Sequence, residues 1–412
     1  MRTAILTVGT EILFGQIVNT NAAWLSQQLN DLGYDVMYHY TVGDNPQRLH
    51  DLIELAFRDC DLILTTGGLG PTQDDMPKEV ICETMGDHLI VPVARVRGLE
   101  ERAKARGRVL TENNYKQANM PSRAIVLPND AGTAPGFALE SAEGGKWIMS
   151  MPGPPREMTR MFDLQIRPIL QKWQDSVIHY RMIRCFGIGE SQLETDLLPL
   201  IDGQTDPTIA TYAKEGECSL RIASKRPTLE EASAAVDKMT AKVSEIVGEY
   251  IYSYDNEELV DVVGNLLKEK KISVACAESC TGGLFAGALT EVPGISAVFD
   301  RGIVTYSNQA KIDELGVNPA TLEAFGAVSM ETACEMASGL ANVSGCDLCI
   351  SVTGEAGPES SEGKPVGTIY VGLCYKGETH AVQIPMRNNG RSWNRKYAVL
   401  NMMAEIYKAV KA

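Results

Sequence analysis

The chain is predicted to be an α/β protein of three successive units. Two observations carry this. Buried strand-length apolar runs alternate with segments of helical period through residue 172, and again from residue 256. Residues 176–253 break the alternation and have the size of a small separate domain.

Residues 4–8 form a buried strand. Asn19 or Thr20 caps a helix with apolar positions Ala22, Leu25, Leu29 and Leu32, stopped by Gly33. Residues 36–42 are a second strand. Asn45-Pro46 sets a cap before a proline at the first helical position, and Leu49, Leu52, Ile53, Ala56 and Phe57 keep helical spacing. Residues 61–66 are a third strand, ending in Gly67-Gly68-Leu69-Gly70-Pro71. This order predicts a doubly wound, mostly parallel sheet, with ligands at the carboxyl ends of its strands. Strands at 124–127 and 147–151 follow. Pro152-Gly153-Pro154-Pro155 then leads a helix that closes the domain at about residue 172.

The middle segment reads as α+β: strands at 181–186, 208–212 and 219–223, a helix after Glu190, and a long helix over 228–247. Asp255-Asn256-Glu257-Glu258 then restarts a helix with Leu259, Val262, Val263, Leu266 and Leu267 on its apolar face. A strand over 272–277, a helix opened by Gly282-Gly283, strands at 302–306, 348–352, 368–373 and 381–384, and a helix from about Ser392 make the last α/β domain.

Composition bounds the function. The chain has 412 residues, 44% hydrophobic and 22% charged, which is globular. No apolar run approaches the roughly 20 residues of a membrane helix. The first residues meet Gly9 and Glu11 at once and read as a strand, not a signal peptide. A net charge of -15 gives no global basic footprint for nucleic acid. It also opposes anionic ligands, so a phosphorylated ligand needs a metal ion or local cations. Ten cysteines without a secretion signal are expected as reduced thiols in the cytoplasm. Cys346 and Cys349 form a lone C-x-x-C, two ligands short of a zinc site, and are expected in a core.

Two segments carry candidate chemistry. The loop from Gly67 to Asp75 leaves a strand and enters a helix, where glycines bring backbone N–H groups close to a phosphate. Asp74 and Asp75 would repel that phosphate unless a divalent cation bridges them, so the two halves make sense together as a metal–phosphate site. The alternative is a glycine turn followed by an Asp cap. Asp44 and Glu157 sit on other loops after strands; Asp44 is either a cap or a site carboxylate, and Glu157 either serves its helix dipole or the site. The second segment is Ala277-Glu278-Ser279-Cys280-Thr281-Gly282-Gly283. A serine between strand and helix presents its hydroxyl above a sheet edge, and N–H groups of the turn supply an oxyanion hole. Such a serine needs a base. Tyr306-Ser307-Asn308-Gln309-Ala310-Lys311 offers a lysine near a tyrosine hydroxyl, and partial desolvation depresses a lysine's pKa so that its neutral amine can accept the serine proton. Ser279 is alternatively a helix cap, Lys311 a surface residue, and Cys280 a second candidate nucleophile.

Gly9-Thr10-Glu11-Ile12-Leu13, Gly15 to Asn21, the loop from Gly67 to Asp75 and Pro152 to Met158 resemble the competence/damage-inducible protein A (CinA) family, and the match spans the chain. The first domain is similar to molybdopterin-binding domains. The resemblance implies metal-dependent hydrolysis of ADP-ribose to AMP and ribose 5-phosphate. It implies a divalent ion of the Mg or Co class on Asp75, with Asp44 or Glu157 nearby and Asp74 a ligand or just behind one. Gly67, Gly68 and Gly70 would cradle a phosphate. Phe186-Gly187-Ile188-Gly189-Glu190-Ser191 resembles the family's KH-like module; RNA binding is not expected, because a KH fold needs a G-x-x-G clamp on a basic face.

E-S-C-T-G-G and Y-S-N-x-x-K are similar to hallmarks of the family's nicotinamide mononucleotide (NMN) deamidase domain. This implies Ser279 as nucleophile, Lys311 as its base and Tyr306 as a proton relay or orienting group, with no cofactor. Thr281, Gly282, Gly283, Thr353, Gly354, Gly367 and Thr368 match substrate-binding loops. Arg391 and Arg395 match arginines suited to the phosphate. Glu355 departs from the family's apolar residue, and Ser360-Ser361 from its Gly-Gly. A cytoplasmic homodimer acting on small nucleotides, without membrane or nucleic acid, is the implied setting. The rival is a molybdopterin-binding, scaffold or DNA-uptake accessory protein.

Overall fold

The computed structural model describes residues 1–70, 76–105, 112–174, 176–360, 362–385 and 387–411. They form two compact units, Met1–His179 with Ser224–Ala235, and Tyr180–Ala223 with Val236–Ala412.

The first unit runs β1 (Arg2–Val8), α1 (Thr10–Leu13), α2 (Thr20–Asp31), β2 (Asp35–Val42), α3 (Pro46–Asp59), β3 (Leu62–Thr66), α4 (Pro77–Thr84), β4 (Leu89–Ile90), α5 (Val93–Ala105), β5 (Met120–Pro121), β6 (Ile125–Leu127), β7 (Gly136–Glu140), β8 (Trp147–Met151), α6 (Pro155–Met161) and α7 (Arg167–Trp173). Six strands form one sheet in the order β2-β1-β3-β8-β7-β6. β2, β1, β3 and β8 are parallel, and β7 is antiparallel to both its neighbours. Alternate residues of β1 face opposite layers. Leu6 packs with Ile53 of α3, and Ile5 with Leu25 and Leu29 of α2. Each such side chain contributes roughly 1.5–3 kcal/mol by leaving water. Asn19 caps α2 through Ala22 N–H, and Asn45 caps α3 through Arg48 N–H.

Strand β7 is not among the strands expected from the sequence. Gly136 begins the strand because its backbone lies against β8; a Cβ there would stand 2.3 Å from the Ser150 carbonyl oxygen.

The middle segment holds β9 (Val177–Cys185), β10 (Thr208–Lys214), β11 (Glu217–Arg226) and β12 (Ile251–Ser253), which form a four-stranded sheet in the order β10-β11-β9-β12. α8 (Glu190–Ile201) and α9 (Leu229–Val247) accompany it, with Leu193, Leu197, Val236 and Val243 in its core. The chain continues through α10 (Leu259–Lys270), β13 (Val274–Glu278), α11 (Leu284–Thr290), β14 (Phe299–Val304), α12 (Asn308–Leu315), α13 (Pro319–Phe325), α14 (Met330–Ser344), β15 (Leu348–Gly354), β16 (Ile369–Tyr375), β17 (Glu378–Gln383) and α15 (Arg391–Lys411). Their sheet has the order β14-β13-β15-β16-β17, with β13 parallel to both neighbours. Val274 and Cys276 face the core shared with α15, while Ala275 and Ala277 face α14.

Two boundaries differ from expectation. Residues 255–258 precede α10 instead of starting it. The Ser253 hydroxyl accepts the Asp255 and Glu257 N–H groups, and Asn256 has φ 61°, so this stretch is a turn. β14 ends at Val304, which leaves Tyr306 on the loop beyond it. Cys349 is buried as expected for a core thiol, and Cys346 is half-buried. Among the described residues no helix is long and apolar enough to cross a membrane.

Candidate active site

Ser279 leaves the carboxyl end of β13, an interior strand of its sheet. Its N–H donates to the Val352 carbonyl (3.1 Å), and Thr305 N–H donates to the Glu278 carbonyl (2.9 Å), so the ladder is held on both sides to the last residue. The chain then turns sharply, with Gly282 at φ 58° and Gly283 at φ 95°, a region that glycine enters without a Cβ penalty.

Glu278 is the residue that sequence reasoning missed. Its buried carboxylate accepts the N–H groups of Gly283 (3.0 Å), Phe285 (3.1 Å) and Ala286 (2.9 Å). The available signal was an acid just ahead of a helix whose own N-cap, Gly283, has no side chain. These bonds take the Gly283 N–H at the end of the turn and two amides in the first turn of α11.

Lys311 lies in α12, which Ser307 caps through Ala310 N–H. Its side chain is 1% exposed. Nζ stands 3.1 Å from Ser279 Oγ, 2.9 Å from the Thr305 carbonyl and 3.5 Å from the Tyr306 carbonyl. Burial lowers the Lys311 pKa, against the opposing influence of Cys280 and Glu362. As an ammonium Nζ donates to all three oxygens. As a neutral amine it satisfies the two carbonyls with its two protons and turns its lone pair to the Ser279 hydroxyl. Cys280 is the weaker nucleophile candidate: burial pushes its thiol up to about 12.

Tyr306 does not bond Lys311 through its side chain. Its exposed hydroxyl accepts from Arg391 Nη2 (3.1 Å), and only its backbone carbonyl approaches the lysine. Arg391 also donates to the Gly357 carbonyl (2.6 Å). Arg395, expected at the phosphate, donates to two backbone carbonyls of the turn after Ser279. Its Nε donates to the Cys280 carbonyl (3.0 Å) and its Nη2 to the Thr281 carbonyl (2.6 Å).

Ser279, Lys311, Tyr306, Thr353, Gly354 and Arg391 line one cavity of about 570 Å³. That size suits a small-molecule ligand. Thr281, Gly282, Gly283, Gly367, Thr368 and Arg395 are outside its lining. Glu355 does line it, is 4% exposed, and accepts Glu362 N–H (2.9 Å). Glu362 in turn accepts Ala327 and Val328 N–H, so both acids brace the loop. Ser360 is exposed, and Ser361 is outside the described residues.

In the first unit Gly67 (φ 105°) and Gly68 (φ 67°) fold the loop onto the sheet; a Cβ on Gly67 would stand 2.0 Å from the Val8 carbonyl oxygen. A cavity of about 300 Å³ opens at the carboxyl ends of β1, β3 and β8, lined by Thr7, Glu11, Asn21, Thr66 and Gly153 among others. Gly67, Gly68 and Gly70 are not in its lining. Asp74 and Asp75 fall outside the described residues. Asp44 accepts the Thr10 hydroxyl (2.7 Å), and Glu157 accepts the Asn129 amide (2.7 Å). Among the described residues no three His, Cys, Asp or Glu side chains gather as metal ligands, so Asp44 and Glu157 do not by themselves form the expected metal site.

A serine hydroxyl against a buried lysine amine, at a strand end of an α/β domain, is an arrangement consistent with an enzyme. Residues 4–172 match the probable molybdopterin binding domain, residues 180–253 the damage-inducible protein CinA KH domain, and residues 256–410 the CinA C-terminal domain. The chain is 44% identical to a putative competence-damage inducible protein of Clostridium novyi (strain NT), over 93% of this chain and 92% of that one. It is 44% identical to a CinA-like protein of Dictyoglomus thermophilum over 98% of both. The solved structure of competence/damage inducible protein CihA from Agrobacterium tumefaciens is 39% identical, covers 38% of this chain and 98% of its own, and has a TM-score of 0.36. The chain belongs to the CinA family.

Proposed function

We propose that the C-terminal domain deamidates NMN to nicotinate mononucleotide and ammonia. The observation that carries this reading is the 3.1 Å approach of Lys311 Nζ to Ser279 Oγ. Neutral Lys311 takes the Ser279 proton as Oγ adds to the carboxamide carbon. The tetrahedral oxyanion collapses, Lys311 returns the proton to the leaving nitrogen, and ammonia departs from an ester on Ser279. Water, deprotonated by Lys311, then attacks that ester, and Lys311 passes the proton to Ser279 Oγ as the C–O bond breaks and nicotinate mononucleotide leaves. Arg391, on the cavity wall, supplies local positive charge for the phosphate of the mononucleotide.

The first domain is the proposed site of ADP-ribose hydrolysis to AMP and ribose 5-phosphate. The cavity at its strand ends and the tight Gly67-Gly68 turn support this reading. The described side chains do not complete a metal site, so no step is assigned to an ion.

The test is a product assay on the purified chain with NMN and with ADP-ribose, each with added Mg or Co and with chelator. Ammonia from NMN in either condition, and AMP from ADP-ribose only with metal, are expected. A chain that binds these nucleotides without turning over either one is a binding or scaffold protein instead.

A further inference from the structure

The turn after Ser279 contains an amide whose direction is fixed from a distance. Arg395 Nη2 holds the Thr281 carbonyl at 2.6 Å. That carbonyl shares a planar peptide with the Gly282 N–H, and the two point in opposite directions. The Gly282 N–H donates to the Ser279 carbonyl (3.1 Å). The Ser279 carbonyl in turn shares its plane with the Cys280 N–H. Arg395 Nε fixes the intervening plane through the Cys280 carbonyl (3.0 Å). On the far side of the turn, Glu278 anchors the Gly283, Phe285 and Ala286 amides. Three successive peptide planes are thus locked between one guanidinium and one carboxylate. Cys280, directly after the nucleophile, lines the cavity, and among the described residues its N–H approaches only its own thiol, a contact that a developing oxyanion would replace.

We infer that Arg395 is a positioning residue and not a phosphate ligand: with Glu278 it locks the 279–283 turn so that the Cys280 N–H stands ready for the oxyanion formed on Ser279. This rests on the proposed serine chemistry. The two roles for Arg395 differ in what they predict. A phosphate ligand stabilises ground state and transition state alike, so its loss raises KM. A residue that aims an oxyanion donor acts only as charge develops, so its loss lowers kcat.

The test uses Arg395→Ala and Arg395→Lys in the full chain. The first readout is ammonia release from NMN. The second is the rate at which a fluorophosphonate modifies Ser279, followed by intact mass, which needs the oxyanion site but no nucleotide. Positioning predicts kcat lower by about 100-fold in Arg395→Ala, KM within about threefold, and a parallel loss in labelling rate. Guanidinium ion restores part of the labelling. Arg395→Lys, which keeps one donor, falls in between and carries the comparison if the alanine variant does not melt cooperatively. A raised KM with kcat and labelling intact overturns the inference, and so does a wild-type Ser279 that the fluorophosphonate does not modify. A wild-type chain that labels normally but releases no ammonia from NMN rejects the substrate and leaves the role of Arg395 standing.

Discussion

Lys311 Nζ lies 3.1 Å from Ser279 Oγ across 32 residues of chain, with the lysine side chain almost fully withdrawn from solvent. The proximity follows from strand order. β13 and β14 are parallel neighbours with Glu278 opposite Val304, so the residues after each strand emerge at one sheet edge.

Removing either partner should stop the amide chemistry alone. Ser279→Ala and Lys311→Ala are expected to lower ammonia release from NMN by about 10⁴-fold or more, with AMP formation from ADP-ribose unchanged. Parallel loss of both products would argue against two separate sites.

The pH profile should report the lysine. Only neutral Lys311 accepts a proton, and its neutral fraction grows as pH rises. Burial lowers its pKa, so the acid-side half-point of kcat should fall below the ordinary lysine range. A half-point at or above that range in a pH–rate series would mean that another group is the base.

Cys280 should be dispensable as a thiol. With its pKa pushed up to about 12 it carries almost no thiolate at neutral pH. Cys280→Ala keeps the backbone N–H and should hold kcat within about threefold, and iodoacetamide at pH 7 should not inactivate. Stoichiometric inactivation at Cys280 would return the thiol to the mechanism.

The first domain should depend on its own acids. Asp75→Ala should abolish metal-dependent AMP formation and spare ammonia release. Asp44→Asn and Glu157→Gln, whose carboxylates already accept Thr10 and Asn129, test whether either reaches the ion. Full hydrolysis by Asp75→Ala would remove that residue from the ligand set.

Glu217 should set part of the stability profile. Burial raises its pKa, opposed by the 2.7 Å hydrogen bond from the Tyr252 hydroxyl. A carboxyl raised in the folded state contributes stability below its unfolded pKa and loses it as pH rises through the folded value. Glu217→Gln should therefore flatten the melting temperature against pH across that window and raise it on the neutral side. An unchanged profile would mean that Glu217 titrates alike in both states.

The alternation of strand and helix was legible because burial imprints periods of 2 and 3.6 on local sequence. The caps at Asn19 and Asn45 were legible because their side chains act within three residues. Strand β7 was not, since its starting glycine answers to the Ser150 carbonyl on another strand. The site divides along the same line. Ser279 and Lys311 could be named as a nucleophile and a base from their chemistry and motifs. Their meeting, the hydroxyl of Tyr306 turned to Arg391, and the guanidinium of Arg395 turned to backbone carbonyls were decided by tertiary structure. Residue type and local spacing state what a side chain is able to do. Which acceptor it reaches depends on strand order and on the depth of burial, and neither is a local property of the chain.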